Sequence, residues 1–297
     1  MKTLIYLLKS TFRFNIWKYL TIVSGFIIPI LTLGKDFGKD LKESLIYGIC
    51  GLAIIFLLVF MFYFIKYTIT HLHNKFIDSI WGDAIKYLKD AYADIHALER
   101  TTNATQRDYL QALEKICNVL KRIFDKKTGL DCSVSIKLAV SIDDLGLVDP
   151  LQSFQFKNIC RDSEHYERNN EKYNSVVHTL LKNTPYIECI NNLGKANNKY
   201  AYINNNIPAS QGYQNSSTEA YRHGLPYKSE LVYPIIPIKR ISSKNNYADF
   251  LGFICIDCPE VDQFDAEKYD VPLIEGVVDS IYNSIYFLKY NEKTILQ

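Results

Sequence analysis

The stretch LGFICIDCP, Leu251–Pro259, places a Cys-x-x-Cys within a run of apolar residues. Side chains of a strand alternate between its faces, so residues three apart point in opposite directions. Cys255 and Cys258 would then not share a metal ion or a disulfide, and redox pairs of this spacing normally open a helix. Zinc would need two more ligands, yet the sequence has no second Cys-x-x-Cys and no His-x-x-x-His. The stretch is therefore predicted to be a strand.

The rest of the C-terminal region predicts further strands between two amphipathic helices. The first helix covers Tyr109–Phe124 and begins at a capping box formed by Thr105 and Asp108. The second covers Asp270–Leu288. Other predicted strands are CSVSIKLAV (132–140), SFQFKNIC (153–160), a short KYAYI (199–203) and ELVYPIIPI (230–238), and NSVVHTLLKN (174–183) is predicted to be a short helix that ends at Thr184-Pro185. The fold class is α+β, an antiparallel sheet with both terminal helices on one face.

Three motifs, in this order, resemble a GAF domain, a small-ligand sensory module related to PAS. They are LEKICNVLKRIFDKKTG before the first strand, the strand ELVYPIIPI, and LGFICIDC followed by Phe264-Asp265. The resemblance covers Thr105 to Tyr290, about 60% of the chain. It implies a small-ligand sensor. The sequence lacks the N-K-x-D/E-type signature of the cyclic-nucleotide-binding subfamily, and no chromophore-bearing cysteine is assigned.

Two apolar segments near the N-terminus predict a transmembrane helical hairpin. Leu45–Ile65 has 21 residues without a charge, enough to cross a hydrocarbon core of roughly 30 Å. Tyr19–Gly34 is shorter, at 16 uncharged residues, and spans if the flanking lysines snorkel; a re-entrant or interfacial helix is the alternative. Basic residues outnumber acidic ones before the first and after the second segment. The positive-inside rule then places both termini in the cytoplasm, with the protein in the inner membrane.

After the second segment, apolar residues recur at heptad spacing, which predicts a coiled-coil-like stalk helix. The stripe comprises Ile77, Trp81, Ala84, Leu88, Ala91, Ile95 and Leu98. The same stripe could instead pack on the domain that follows. The expected organisation is a basic interfacial segment (1–14), two transmembrane helices with a short external loop (15–65), the stalk (66–103) and a cytoplasmic GAF-like domain (104–297).

Composition excludes several classes of function. The formal net charge of +2 does not favour nucleic-acid binding, and the seven scattered cysteines suit a reducing compartment without a disulfide framework. The sequence shows neither a P-loop nor a G-x-S-x-G nucleophile motif. We expect no enzyme activity, no metal and no cofactor.

Candidate ligand-binding residues lie in two polar stretches, RDSEHYER (161–168) and YRHGLPYKSE (221–230), and in the short strand before the second one. Basic groups could clamp a carboxylate or phosphate, and tyrosines could stack on a ring. The candidates are Arg161, Arg168, Tyr202, Tyr221, Arg222, Tyr227 and Lys228.

Three functions follow from this organisation. The first is a membrane-anchored cytoplasmic sensor of a small, possibly nucleotide-like or otherwise anionic, molecule, which signals through a dimeric stalk to its membrane hairpin and has no catalytic output of its own. The second is a membrane-disrupting effector of a bacterial nucleotide-signalled anti-phage system, because no other output motif follows in the sequence. The third is a membrane scaffold for a cytosolic partner. The expected partners are the membrane, a small ligand and further copies of the chain, as a homodimer or a higher homo-oligomer.

Overall fold

The computed structural model describes residues 41–101, 103–139, 155–168, 176–193, 200–219, 224–237 and 249–295. The chain divides into two compact units, Met1–Phe76 and Ile77–Gln297. The interfacial segment (1–14) and the shorter apolar segment Tyr19–Gly34 lie outside the described residues, so the hairpin stays a prediction.

Helix α1, Leu41–Glu99, carries the longer apolar segment. It contains one stretch long and apolar enough to cross a membrane, within Ile46–Glu99, and most of that stretch is not buried in the structure. Large apolar side chains such as Phe56 and Leu58 are more than half exposed. An exposed apolar surface of this length is typical of a helix in contact with lipid.

The second unit is built on a sheet in which every neighbouring pair of strands is antiparallel. In the described residues it has six strands in the order β3-β2-β1-β6-β5-β4. The strands are β1 (Ser133–Ala139), β2 (Gln155–Arg161), β3 (Val177–Thr179), β4 (Tyr202–Asn204), β5 (Ser229–Ile235) and β6 (Gly252–Cys258). The antiparallel sheet predicted from the sequence is confirmed, and the stretch LGFICIDC forms β6, one of the two central strands.

Helices α2 (Gln106–Thr128) and α5 (Asp270–Ile295) pack on one face of the sheet, as the sequence predicts. The capping box at the start of α2 is confirmed: the backbone N–H of Asp108 donates to the Thr105 Oγ1 at 3.3 Å, and the Thr105 N–H donates to the Asp108 carboxylate at 2.8 Å. Gly129 ends the helix in the left-handed conformation, with φ of 72°.

The heptad stripe of α1 packs on this same domain. Ala84, Ala91 and Ile95 are buried in the core formed with α2 and α5. The Trp81 ring stacks on Tyr269, and the Tyr92 hydroxyl donates to the Gly276 carbonyl at 3.2 Å. The use of this stripe as a dimeric stalk is therefore corrected in favour of the alternative, packing on the following domain. The two uses require the same spacing of apolar residues, so the sequence pattern alone does not separate them.

One predicted element differs in type. The stretch 174–183 is not a helix: its described part forms β3 and a 3₁₀ turn at Leu180–Lys182. Thr184-Pro185 does not end a helix but begins helix α4, Thr184–Leu193. Proline is favoured in the first turn of a helix because its missing N–H would have no helical partner there. A short helix, α3 (Ser163–Arg168), follows β2.

Candidate ligand-binding site

The sheet has a second buried face, opposite α2 and α5, which we call the distal face. Helix α4 packs on it through Tyr186, Cys189 and Ile190, against aromatic residues of β2 and β6. The Tyr186 ring stacks on Phe253, with centroids 4.3 Å apart. Both faces of the sheet are therefore covered, which explains why β1 and β6 are buried along nearly their whole length.

Charged and hydroxyl side chains gather on the distal face beside this aromatic cluster. They come from four adjacent strands and form what we call the distal polar centre. Its members are Ser133, Ser135 and Lys137 of β1, Arg161 of β2, Glu230 of β5 and Asp257 of β6. Ser135 and Glu230 are almost fully buried, Lys137 is 9% exposed, and Arg161 and Asp257 are half-buried.

The register of the strands sets the order of charges across the centre. Glu230 lies opposite Asp257, and Asp257 lies opposite Ser133. Ser135 lies opposite Arg161. The acidic groups therefore occupy the β5–β6 side of the distal face and the basic groups occupy the β1–β2 side.

A β-bulge places Arg161 on this face. The register between β1 and β2 shifts between Ile136 and Lys137, so that Ile136 pairs with Cys160 but Lys137 pairs with Asn158. Ile159 is the extra residue. In a regular strand, Arg161 would lie on the face opposite Asn158 and Phe156, because side chains alternate. The bulge reverses that alternation and turns Arg161 toward the centre, a use of bulges that is common beside functional sites.

The acidic side consists of two carboxyl groups that are cross-strand neighbours. Burial, and next the charge of Asp257, raise the pKa of Glu230 to about 8, against an ordinary 4.5. The Tyr213 hydroxyl donates to Glu230 and partly offsets this rise. Burial also raises the pKa of Asp257, although the charges of Lys137 and Arg161 oppose the rise. Like charges directly opposite each other on a sheet are unfavourable, so a cation placed here would be stabilised.

The basic side consists of Lys137 and Arg161, with His178 of β3 beside them. Burial, and next the charges of Lys137 and Arg161, lower the pKa of His178 to about 2, so this imidazole is neutral. Its Nδ1 lies 3.0 Å from the Ser216 hydroxyl. The Arg161 Nη2 donates to the Ser133 hydroxyl at 3.3 Å. An anion placed here would meet two fixed positive charges.

Several polar atoms of the distal polar centre have no hydrogen-bond partner among the described residues. They are Ser135 Oγ, Arg161 Nε and Glu230 Oε1, and each is buried. The great majority of buried polar atoms in folded proteins are partnered by protein or by water. The three atoms lie on one side of one sheet, which makes the distal polar centre the candidate site for a polar molecule.

The segment between β4 and β5 lies over the acidic side. Asn215 Nδ2 donates to the Tyr213 hydroxyl at 3.1 Å and to the Tyr227 hydroxyl at 2.8 Å. Burial, and next the charge of Asp257, raise the pKa of Tyr227 well above its ordinary value. Both tyrosines stay protonated at neutral pH and can act as hydrogen-bond donors.

Of the predicted binding residues, Arg161 belongs to the distal polar centre, and Tyr227 lies in the segment over its acidic side. Tyr202 is half-buried on β4, at the edge of the sheet, and accepts a hydrogen bond from Asn204 Nδ2 at 3.2 Å. Lys228 is exposed and forms a salt bridge with Glu260 at 3.0 Å, away from the centre.

The other three predicted residues are not placed by the structure. Tyr221 and Arg222 lie outside the described residues. Arg168 is the last residue of α3, and its side chain is not among those described. Ligand binding by all seven residues stays a prediction.

Sequence reasoning missed Ser135, Lys137, Glu230 and Asp257. In CSVSIKLAV, the alternation of polar with apolar residues is typical of a half-buried strand with one solvated face. The structure buries that face as well, since α4 and the segment before β5 cover it. The available signal was the presence of polar residues in three of the predicted strands.

The Cys-x-x-Cys is structural, as predicted. The Cys255 Sγ lies on the distal face, 3.9 Å from the Tyr186 hydroxyl. The Cys258 Sγ lies on the opposite face, which α2 and α5 cover, and is 3.4 Å from the Cys132 Sγ. Burial raises the pKa of Cys255 to about 11, so its thiol is protonated. All cysteines in the described part of the chain are free, and none of the His, Cys, Asp and Glu side chains described there form a group of three that could hold a metal.

No family model matches the sequence, and no curated protein matches it. Solved structures with a similar fold include a GAF domain at 14% identity, with 68% of this chain and 88% of that chain covered and a TM-score of 0.42. The GAF domain of an Acinetobacter phosphoenolpyruvate-protein phosphotransferase is similar at 9% identity, with 70% and 98% covered and a TM-score of 0.41.

A free methionine-R-sulfoxide reductase from Neisseria meningitidis is similar at 11% identity, with 70% of this chain and 93% of that chain covered and a TM-score of 0.41. The α+β fold predicted from the sequence, an antiparallel sheet flanked by helices, is confirmed by the element order and sheet order described above. Similarity at these identities concerns the fold and carries no ligand or activity over to this chain.

Proposed function

We propose that this chain is a membrane-anchored cytoplasmic module that senses a small molecule bound at the distal polar centre. One observation carries the proposal: Ser135, Arg161 and Glu230 each bury a polar atom without a partner among the described residues. A protein that kept these groups only for stability would gain from apolar residues in their place, because burying an unpaired polar group is costly. A ligand that completes the hydrogen bonds explains why polar residues occupy the centre.

The membrane anchor of the proposal rests on the exposed apolar surface of α1. The proposal keeps the expected topology, an inner-membrane protein with two spans and both termini in the cytoplasm, on the basis of the distribution of lysines. Protease added outside intact spheroplasts should then leave the C-terminal unit whole. Cleavage of that unit without lysis would reverse the proposed topology.

The proposed output is a shift between conformations, without catalysis. A ligand that binds one arrangement of the domain more tightly than another changes their populations by that difference in affinity. A homodimer or higher homo-oligomer stays part of the proposal, but its contact would use a surface other than the heptad stripe, which is covered within one chain.

Thermal unfolding of the full-length chain in detergent tests the proposal. The panel contains nucleotides, cyclic nucleotides, organic acids, polyamines and amino acids. A ligand present at 100 times its Kd should stabilise the protein by about 2.7 kcal/mol, or roughly 5–10 °C for a domain of this size. The absence of a shift with every compound would contradict the proposal.

A further inference from the structure

The distal polar centre holds two acidic and two basic side chains that do not neutralise one another by direct contact. Among the described residues, Lys137 and Arg161 make no salt bridge with Glu230 or Asp257. Elsewhere in the domain the opposite charges meet: the buried Lys121 pairs with Asp125 and Asp131, each at 2.6 Å. The acidic and basic side chains of the distal polar centre therefore lie near each other without forming ion pairs.

A ligand of a single charge would satisfy only one side of this arrangement. A simple anion would bind to Lys137 and Arg161 but would leave the Glu230 Oε1 without a partner, and the two neighbouring carboxyl groups would still avoid repulsion only while Glu230 keeps its proton. A simple cation would bind to the carboxyl groups but would leave the buried Lys137 ammonium group with no anionic partner among the described residues, in contact there only with the face of the Tyr186 ring, whose centroid lies 5.6 Å from the Lys137 Nζ. Buried charges are costly unless they are paired, so each of these ligands would leave part of the cost in place.

We propose that the ligand is a small zwitterion of the free α-amino acid class, with its ammonium group at Glu230 and Asp257 and its carboxylate at Lys137 and Arg161. This inference rests on the proposed function and specifies its ligand. The Ser135 hydroxyl lies on the basic side, opposite Arg161, and supplies a further hydrogen bond to the carboxylate. The Glu230 Oε1 supplies the acceptor for the ammonium group.

The dimensions of the sheet suit a small molecule. Neighbouring strands lie about 4.8 Å apart, so the backbones of β5 and β2, three strand spacings apart, are separated by roughly 14 Å. The side chains of Glu230 and Arg161 extend from these two strands and shorten the gap between their charged ends. Lys137 and Asp257 lie on the two strands between them. A molecule whose charges are a few bonds apart fits this gap better than one with an extended body.

The test compares each L-amino acid with two analogues that each lack one charge. One analogue is the amine without the carboxylate, and the other is the hydroxy acid in which a hydroxyl replaces the ammonium group. The readout is the ligand-dependent shift of the unfolding temperature of the full-length chain in detergent. At least one amino acid should raise that temperature, and both of its analogues should bind at least tenfold more weakly.

Two variants assign the two ends of the ligand. Glu230→Gln should weaken the amino acid at least tenfold and should change the binding of the hydroxy acid much less. Lys137→Gln should weaken the amino acid at least tenfold and should change the binding of the amine much less. The matched controls are Glu267→Gln and Lys157→Gln, at exposed positions outside the centre, which should bind like the wild type.

The outcomes separate this inference from the proposed function. A compound with only one kind of charge, such as a hydroxy acid or a nucleotide, could bind as tightly as any amino acid and lose affinity in either centre variant. In that case the proposal of a zwitterionic ligand is wrong, and the proposed function as a small-molecule sensor is kept. If no compound in any set shifts the wild type, both are wrong.

Discussion

Glu230 is the residue at which stability and binding are most directly opposed. It is buried, and it lies directly opposite Asp257 on the neighbouring strand β6. One of its carboxylate oxygens has no hydrogen-bond partner among the described residues. The groups around it come from three other elements: the charged side chains Asp257 of β6 and Lys137 of β1, and the neutral hydroxyl of Tyr213 in the segment before β5, which donates a hydrogen bond. A carboxyl group in this environment destabilises the ligand-free protein most when it is ionised.

We therefore expect Glu230→Gln to stabilise the ligand-free protein, increasingly with rising pH. Between the ordinary pKa of 4.5 and the folded value of about 8, the folded state holds a proton that the unfolded state releases. The free energy of unfolding of the wild type then falls through this window by up to about 1.4 kcal/mol per pH unit, and the variant lacks this fall. Thermal unfolding at pH 6 and pH 8 measures the difference, and Glu267→Gln should stay close to the wild type. A variant less stable than the wild type at pH 8 would refute the expectation.

Gly252 permits a close approach of β6 to β1. A Cβ at this position would lie 2.0 Å from the Lys137 carbonyl oxygen and 2.9 Å from the Leu138 Cα, so one of the two strands would have to move. We expect Gly252→Ala to lower the free energy of unfolding by about 3 kcal/mol. Gly276→Ala is the control, because it meets open space within α5 and should raise stability by about 1 kcal/mol. Equal stability of the two variants would contradict the close approach.

At the scale of elements, the packing of α1 on its own domain makes a prediction that a dimeric stalk does not. Ile95 is 1% exposed within that contact, and Ile85, on the same helix, is 72% exposed. Ile95→Ala should cost about 2–4 kcal/mol and Ile85→Ala much less. Any dependence of the unfolding temperature on protein concentration should be the same in both variants and in the wild type, because the contact lies within one chain. If the unfolding temperature rises with protein concentration, and rises less in Ile95→Ala than in the wild type, the stripe forms a dimeric stalk and the packing within one chain is wrong.

The bulge in β2 shows why the sequence could not place the binding residues. Arg161 is an expected candidate, but regular alternation from Phe156 would have put it on the other face of the sheet. A bulge is a property of the pairing between two strands and leaves no local mark in SFQFKNIC. The strands were predictable because apolar periodicity reports burial directly. The burial of the polar face of β1 was not predictable, because it depends on α4 and the segment before β5, which are distant in sequence.

At the scale of the whole molecule, α1 alone should anchor the chain. A chain without residues 1–40 keeps the apolar stretch of α1 and should remain in the membrane pellet after an alkaline carbonate wash. A chain without residues 1–76, the first compact unit, should move to the supernatant. Release of the shorter deletion would show that the exposed apolar surface of α1 does not meet lipid.

Most of the architecture was predictable, and the site was mainly not. The helix caps at Thr105 and Gly129, the strand at LGFICIDC and the packing of the terminal helices follow from local patterns that the structure keeps. The sequence predicts a helix at 174–183 where the structure has β3 and a 3₁₀ turn, because a short apolar run fits a strand as well as a helix. Asp257, the acidic residue of the motif that suggested the fold, proves to be part of the distal polar centre.

The most direct test of the central claim, ligand binding at the distal polar centre, is the ligand-induced shift in unfolding temperature of wild type, Glu230→Gln and Glu267→Gln measured side by side. The account predicts a shift with at least one amino acid for the wild type and for Glu267→Gln, and its loss in Glu230→Gln. A shift that Glu230→Gln retains in full, or no shift in any of the three proteins, would contradict it.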